Sequence, residues 1–233
     1  MHRALHRCAA HIRAYGPSIS SRKGLILAMA AFTFASIATA EARTLRVVAL
    51  GDSLTAGFGL PKSDSFASKL EVALKAKGYD VAIINAGVSG DTTSGGLARL
   101  DWSVPKDADA VILELGANDM LRGTDPEVTR KALSEILSRL QKRGLPVLLA
   151  GMRAAPNLGA DYQARFDRVF PDLARTFPVI YYPFFLDGVA GDRSLNQPDG
   201  LHPTAAGVDR IVAAILPDVE RLLARAKEKS AAQ

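Results

Sequence analysis

The chain has 233 residues, and its 29 lysines and arginines outnumber its 24 acidic residues to give a formal net charge of +5. Five of the basic residues and none of the acidic ones lie in the first 40 positions, so the rest carries 24 charges of each sign. Because of that neutral balance, the overall positive charge gives no support to nucleic-acid binding, and we expect none. The single cysteine, Cys8, also lies in the first 40 residues, which leaves residues 41–233 without disulfides or thiolate metal sites.

The first 40 residues predict a secretory signal peptide. Basic residues come first, an apolar stretch follows at 25–37, and Ala38-Thr39-Ala40 forms a small-x-small cleavage site. The apolar stretch is short for a membrane span, which needs about 20 apolar residues. We therefore expect residues 1–40 to be removed and the protein to be exported, to the periplasm or as a secreted protein. Residues 41–233 then form a single domain.

Strand and helix patterns alternate along the rest of the chain. Apolar runs rich in β-branched residues predict strands at 45–50, 79–85, 110–115, 146–150 and 179–182. Apolar residues at helical spacing predict helices at 65–77, 92–102, 126–143 and 161–177 and from Val208 onward. Because strands alternate with helices, we expect an α/β fold with a parallel sheet covered on both faces.

Two prolines are expected to disturb the later helices. Pro171 lies inside the pattern at 161–177 and should interrupt it. Pro217 lies inside the final amphipathic pattern and should kink that helix or split it in two.

Chemically suggestive residues follow the predicted strands. Ser53 follows the first strand, Gly90 the second and Asn118 the third, and a late loop carries Asp199 and His202. Ligands of parallel sheets bind beyond the carboxyl ends of the strands. We therefore expect these residues to converge on one edge of the sheet.

His202 is the only histidine outside the first 40 residues, so imidazole chemistry in the predicted domain depends on it. Asp199, three residues earlier, can reach the ring through a tight turn. A carboxylate bonded to Nδ1 leaves Nε2 to accept a serine proton, which makes Ser53 the candidate nucleophile. The structural alternatives are a turn and helix cap at Ser53 and a solvated loop histidine at position 202.

Acyl transfer also requires donors for an oxyanion. Gly90 offers a backbone N–H that a substrate can approach closely, Asn118 a side-chain amide, and Ser53 its own N–H. The structural alternatives are a positive-φ turn at Gly90 and a strand-end cap at Asn118.

Four motifs, taken in this order, resemble the conserved blocks of the SGNH (GDSL) hydrolases. They are Gly51-Asp52-Ser53-Leu54, Gly90 in Ser-Gly-Asp-Thr, Gly116-Ala117-Asn118-Asp119 and Asp199-Gly200-Leu201-His202-Pro203. The segments 54–60 and 96–100 are similar to the bacterial arylesterase and acyl-CoA thioesterase I/lysophospholipase L1 branch. Met120 stands where that branch often has glycine, in a loop that shapes the acyl pocket of its members.

The resemblance implies a flavodoxin-like three-layer sandwich with a five-stranded parallel sheet. It implies a triad of Ser53, Asp199 and His202, with Gly90 and Asn118 joining Ser53 as oxyanion donors. The expected substrate is a small acyl ester or thioester, lipids included, and we expect no cofactor, metal or protein partner. The alternatives are a cell-envelope glycan O-deacetylase or acyltransferase, and a non-enzymatic lipid- or glycan-binding module on the same fold.

Overall fold

The computed structural model describes residues 43–231, so the predicted signal peptide lies outside the described residues. Five parallel strands form one sheet in the order β2-β1-β3-β4-β5. The strands are β1 (Leu45–Gly51), β2 (Val81–Gly87), β3 (Ala110–Glu114), β4 (Val147–Ala150) and β5 (Ile180–Tyr182). This strand order is that of flavodoxin-like sheets, so the predicted fold class is confirmed.

The helices cover both faces of the sheet. They are α1 (Ser53–Ala56), α2 (Phe66–Ala76), α3 (Thr93–Ala98), α4 (Leu100–Ser103), α5 (Ala117–Leu121), α6 (Pro126–Lys142), α7 (Ala160–Phe166), α8 (Val169–Thr176) and α9 (Ala205–Ala231). α2 and α9 pack together on one face, and α3, α6 and α8 pack together on the other. Among the described residues, no helix combines the length and apolar character needed to cross a membrane.

α6 illustrates how the sequence specifies a helix. Asp125 caps it by accepting a hydrogen bond from the N–H of Glu127 (3.0 Å), and Pro126 occupies the first position, where no backbone donor is needed. Its apolar face is fully buried at Leu133, Ile136, Leu137 and Leu140. Burying each of these side chains contributes roughly 1.5–3 kcal/mol relative to leaving it exposed.

The strand register aligns the carboxyl ends of the three strands that carry the site. Gly51 at the end of β1 pairs with Gly87 of β2 on one side and with Glu114 of β3 on the other. The loops that follow these strands therefore begin side by side at one edge.

The predicted helix at 161–177 is interrupted, but not by Pro171. α7 ends at Phe166 and α8 begins at Val169, so the break falls at residues 167–168. Pro171 is the third residue of α8. It is tolerated there because backbone N–H groups in a first turn have no acceptor within the helix.

Pro217 does not split the final helix, and that alternative of the prediction was wrong. α9 runs without interruption from Ala205 to Ala231. Its apolar face continues beyond the proline, where Val219, Leu222 and Leu223 are fully buried. That burial stabilises the helix enough to offset the hydrogen bond that proline cannot donate.

We predict that Pro217→Ala raises the free energy of unfolding by about 1–3 kcal/mol, because it restores a donor for the carbonyl of Ala213 in a helix interior. Pro217 is exposed, so the substitution removes no buried contact. Urea unfolding measures the change. Pro171→Ala, in the first turn of α8, is the matched control and should change stability by less than about 0.5 kcal/mol. Equal effects of the two substitutions would contradict the prediction.

Candidate active site

The turn after β1 presents the Ser53 hydroxyl at the carboxyl edge of the sheet. Asp52 caps α1 by accepting a hydrogen bond from the N–H of Leu54 (3.0 Å), so Ser53 becomes the first residue of that short helix. Ser53 is 8% exposed and lines a cavity that opens at this edge. The predicted turn and cap are therefore present, but the cap is Asp52, which leaves the serine side chain available.

Asp199 holds His202 in the tight turn that the sequence predicts. One carboxylate oxygen accepts from the backbone N–H groups of Leu201 (2.9 Å) and His202 (3.0 Å). The other lies 2.6 Å from the imidazole Nδ1. Three hydrogen bonds to Asp199 lower its pKa to about 2. In decreasing order of effect, they come from the backbone N–H of His202, from its ring and from the backbone N–H of Leu201. Asp199 is therefore ionised at neutral pH and fixes the proton of the imidazole on Nδ1.

The imidazole of His202 reaches the serine. Its Nε2 lies 2.9 Å from the Ser53 Oγ, across 149 positions of sequence. With the proton on Nδ1, Nε2 is the acceptor and the serine hydroxyl the donor. The Phe58 ring covers the imidazole with its centroid 4.5 Å away. Carboxylate, imidazole and hydroxyl thus form one hydrogen-bonded line, as an activated serine requires.

Backbone and side-chain contacts restrain the loop that carries the histidine. The N–H of Gln197 donates to the carbonyl of His202 (2.7 Å), and Asn196 forms a β-bridge with Pro203. The Gln197 amide also donates to the carbonyl of Phe58 (2.8 Å), which joins this loop to the segment that follows Ser53. The motifs gave no indication of this role for Gln197.

The three predicted oxyanion donors line the same cavity. Gly90 has a φ of +80°, so the predicted positive-φ turn is present, and its carbonyl accepts from Arg122 (2.7 Å). The N–H groups of Ser53 and Gly90 donate to no acceptor among residues 43–231. The Asn118 amide donates one hydrogen to Asp52 (3.1 Å) and keeps a second for a ligand.

Asn118 owes its position to the turn before α5. Gly116 has a φ of +123°, and a Cβ there would lie 2.9 Å from the Phe170 ring, so only glycine fits. Asp119, which directly follows Asn118, is buried and accepts hydrogen bonds from the backbone N–H (2.8 Å) and the hydroxyl (2.6 Å) of Thr93. This contact ties the loop after β3 to the helix that follows the Gly90 turn.

Arg99 joins the ends of the two strands that lead into the site. Its guanidinium donates to the carbonyls of Gly51 (2.8 Å) and Ala86 (2.8 Å), and its Nε pairs with Asp91 (2.6 Å). The side chains of Arg99 and Asp91 are 8% and 13% exposed. A buried cation that is bonded to both strand ends and to a carboxylate holds the edge rigid.

Two buried carboxyl groups lie beneath the serine, and the sequence analysis overlooked both as parts of the site. Burial is the main cause that raises the pKa of Asp52 to about 6. Burial and the charge of Asp52 raise the pKa of Glu114 well above its ordinary value. Glu114 could have been noticed, because it ends an otherwise apolar strand.

The cavity has a volume of about 660 Å³ and is lined mainly by apolar side chains from the loops after all five strands. Phe58, Met120, Met152 and Phe184 contribute to its walls. Among the described residues that line it, Arg153 is the only lysine, arginine or acidic residue, and its guanidinium lies 5.2 Å from the centroid of the Phe184 ring. Within the part of the chain that the structure describes, no three His, Cys, Asp or Glu residues are grouped to hold a metal ion.

Comparisons with known proteins match this site and fold. Residues 49–210 match the GDSL-like Lipase/Acylhydrolase family. Esterase TesA of Pseudomonas aeruginosa is 39% identical over 185 residues, which are 79% of this chain and 91% of that protein. Thioesterase 1/protease 1/lysophospholipase L1 of Escherichia coli K12 is 36% identical over 165 residues, or 70% and 77% of the two chains. The crystal structure of AlinE4, an SGNH-hydrolase family esterase, is 48% identical with a TM-score of 0.66, covering 78% of this chain and 98% of that one.

Proposed function

Since the chain belongs to the GDSL-like lipase/acylhydrolase family, we propose that Ser53 is its nucleophile, His202 its general base and Asp199 the carboxylate that orients the imidazole. The chain is a serine esterase that acts on carboxylic ester or thioester bonds of small molecules, as its relatives are. The observation that carries the assignment of roles is the unbroken line of contacts from Asp199 to the imidazole (2.6 Å) and from the imidazole to Ser53 (2.9 Å).

The proposed reaction has two halves. Ser53 Oγ bonds to the carbonyl carbon while its proton passes to Nε2 of His202, and the carbonyl oxygen becomes an oxyanion. The oxyanion accepts from the N–H groups of Ser53 and Gly90 and from the Asn118 amide. The intermediate then expels the alcohol or thiol, which takes the proton from the imidazolium. In the second half, water attacks the acyl-enzyme by the same steps, which releases the acid and regenerates the serine.

Asp199 supports this cycle electrostatically. Because its pKa is depressed to about 2, it stays ionised throughout the neutral range. It therefore stabilises the imidazolium each time the histidine carries two protons, and it keeps Nε2 directed at the serine in between.

We propose that the cavity holds an acyl chain and that lipids are among the substrates. Its lining is mainly apolar, and Met120 narrows it where relatives of this branch often have glycine. An acetyl group would leave most of about 660 Å³ unfilled, so the cavity favours longer acyl groups over the acetyl groups of a glycan deacetylase. One relative carries the name lysophospholipase L1, which fits a substrate with an anionic headgroup.

We also propose that the protein is exported, to the periplasm or beyond, after removal of residues 1–40. The support is the order of basic, apolar and small-residue segments in that leader. The proposed chemistry needs no metal, cofactor or protein partner.

We predict that Ser53→Ala and His202→Ala each lower kcat on a p-nitrophenyl acyl ester by at least about 10⁴-fold, because either change breaks the line that activates the nucleophile. Ser53→Ala should also abolish labelling by a fluorophosphonate probe, read by intact-protein mass spectrometry. Ser89→Ala is the control, since Ser89 lines the same cavity without a hydrogen bond to His202. Labelling of folded Ser53→Ala at another serine would overturn the assignment.

We predict that Arg153 favours substrates with a negatively charged headgroup. Arg153→Gln should raise KM for lysophosphatidylglycerol by about 5–20-fold, because a charge-assisted hydrogen bond from an exposed arginine is lost. KM for the uncharged monoacylglycerol of equal chain length should stay within about 2-fold.

Two controls accompany this comparison. Arg193→Gln removes an exposed arginine that does not line the cavity and should leave both KM values unchanged. Raising the salt concentration should reduce the discrimination of the wild type, since exposed charges are screened. An equal change of KM for both substrates in Arg153→Gln would show that Arg153 does not discriminate between substrates by headgroup charge.

A further inference from the structure

Glu114 is a buried carboxyl group that the proposed chemistry does not use. It is the last residue of β3, where the register pairs it with Gly51, and its side chain is fully buried. Its Oε2 accepts from the hydroxyl of Thr55 (2.7 Å) and from the N–H of Asp52 (3.4 Å). These two donors flank Ser53, so one oxygen ties the chain on both sides of the nucleophile.

The second oxygen of this carboxyl group has no partner. Glu114 Oε1 is buried, and no donor among the described residues reaches it. No lysine or arginine among the described residues donates a hydrogen bond to this carboxyl group. An ionised carboxylate would thus be a buried charge with half of its acceptor capacity unused, which is costly. A neutral acid keeps Oε2 as the acceptor and carries its proton on Oε1.

The charged groups on the segments around this carboxyl group are engaged by other partners. Asp52 lies on the turn after β1. Arg99, at the end of α3, donates to the last carbonyl of β1 and is paired with Asp91. Asp119 on α5 is engaged by hydroxyl and backbone donors, and His202 lies on the far side of the nucleophile. Arg99, which bonds to the strand end that pairs with Glu114, is therefore already neutralised by another carboxylate.

We propose that Glu114 is a positioning residue that works as an uncharged acid and holds Asp52 and Thr55 on either side of the nucleophile. Because Asp52 accepts from the Asn118 amide (3.1 Å), the same contact also fixes the direction of an oxyanion donor. Because Glu114 contacts residues on both sides of Ser53, a negative charge on it would oppose the oxyanion that forms there. The proposal rests on the proposed function, since it assigns Glu114 a role in that chemistry.

The first test compares two variants in steady-state kinetics on a p-nitrophenyl acyl ester. Glu114→Gln has the shape of the neutral acid and keeps a carbonyl acceptor, so kcat and KM at pH 7 should stay within about 3-fold of wild type. Glu114→Ala removes the acceptor and should lower kcat by about 10–100-fold with little change in KM. Glu135→Gln, on the surface of α6, is the control for replacing a carboxyl group by an amide.

The second test measures the charge state of Glu114 without reference to catalysis. Burial keeps its proton on in the folded chain, whereas the unfolded chain releases it near the ordinary pKa of about 4.5. Above pH 4.5 the folded state therefore binds one more proton than the unfolded state. The free energy of unfolding of the wild type consequently falls as the pH rises through that window. Glu114→Gln lacks this group. The wild-type unfolding constant divided by that of the variant should rise about tenfold per pH unit until the folded chain ionises Glu114.

Urea unfolding of wild type, Glu114→Gln and Glu135→Gln between pH 5 and 9 gives this ratio, and the titration of Asp52 cancels from it as long as folded Glu114 keeps its proton. A flat ratio for Glu114→Gln, a Glu114→Gln variant as inactive as Glu114→Ala, or its failure to fold would each overturn the proposal. If Ser53 were not the nucleophile, the kinetic assignment would fail while the stability series could still succeed, so the two failures are distinguishable.

Discussion

The site depends on the parallel pairing of β1 with β2 and β3, which brings the ends of three strands to one edge in register. Gly51 lies between Gly87 and Glu114 at that edge, and Arg99 bonds to carbonyls of both β1 and β2. The serine turn, the Gly90 turn and the Asn118 loop therefore start from a common, rigid platform. Without that alignment, Ser53, Gly90 and Asn118, which follow three different strands, would not line one cavity.

The acidic groups at this edge are each held by hydrogen bonds or by an ion pair. Asp199 is ionised, but its oxygens are saturated by two backbone N–H groups and the imidazole. Asp91 is neutralised by Arg99. Asp52 and Glu114 are buried, and burial raises the pKa of both carboxyls. The donors of Ser53, Gly90 and Asn118 thus act beside carboxyl groups whose hydrogen-bond partners are fixed by the fold.

The features that follow from local pattern were predictable from the sequence. Apolar runs located all five strands to within two residues, and the order of four motifs indicated the family, the serine turn and the Asp199–His202 pair. Features that depend on packing were not predictable. Pro217 sits in an unbroken helix because residues beyond it are buried, and Gln197 and Glu114 act through neighbours that are distant in sequence. Among the residues of the site that the motifs do not include, only two could have been noticed in the sequence. They are Glu114, the acidic end of β3, and Arg153, the arginine after β4.

The most direct test of the central claim is a crystal structure of the protein after reaction with an alkyl phosphonate ester, which mimics the tetrahedral intermediate. Phosphorus should be bonded to the Ser53 Oγ, with one oxygen about 2.7–3.1 Å from each of the Ser53 N–H, the Gly90 N–H and the Asn118 amide. The His202 ring should remain bonded to Asp199. An adduct on another residue, or a phosphonyl oxygen turned away from all three donors, would contradict the proposed chemistry.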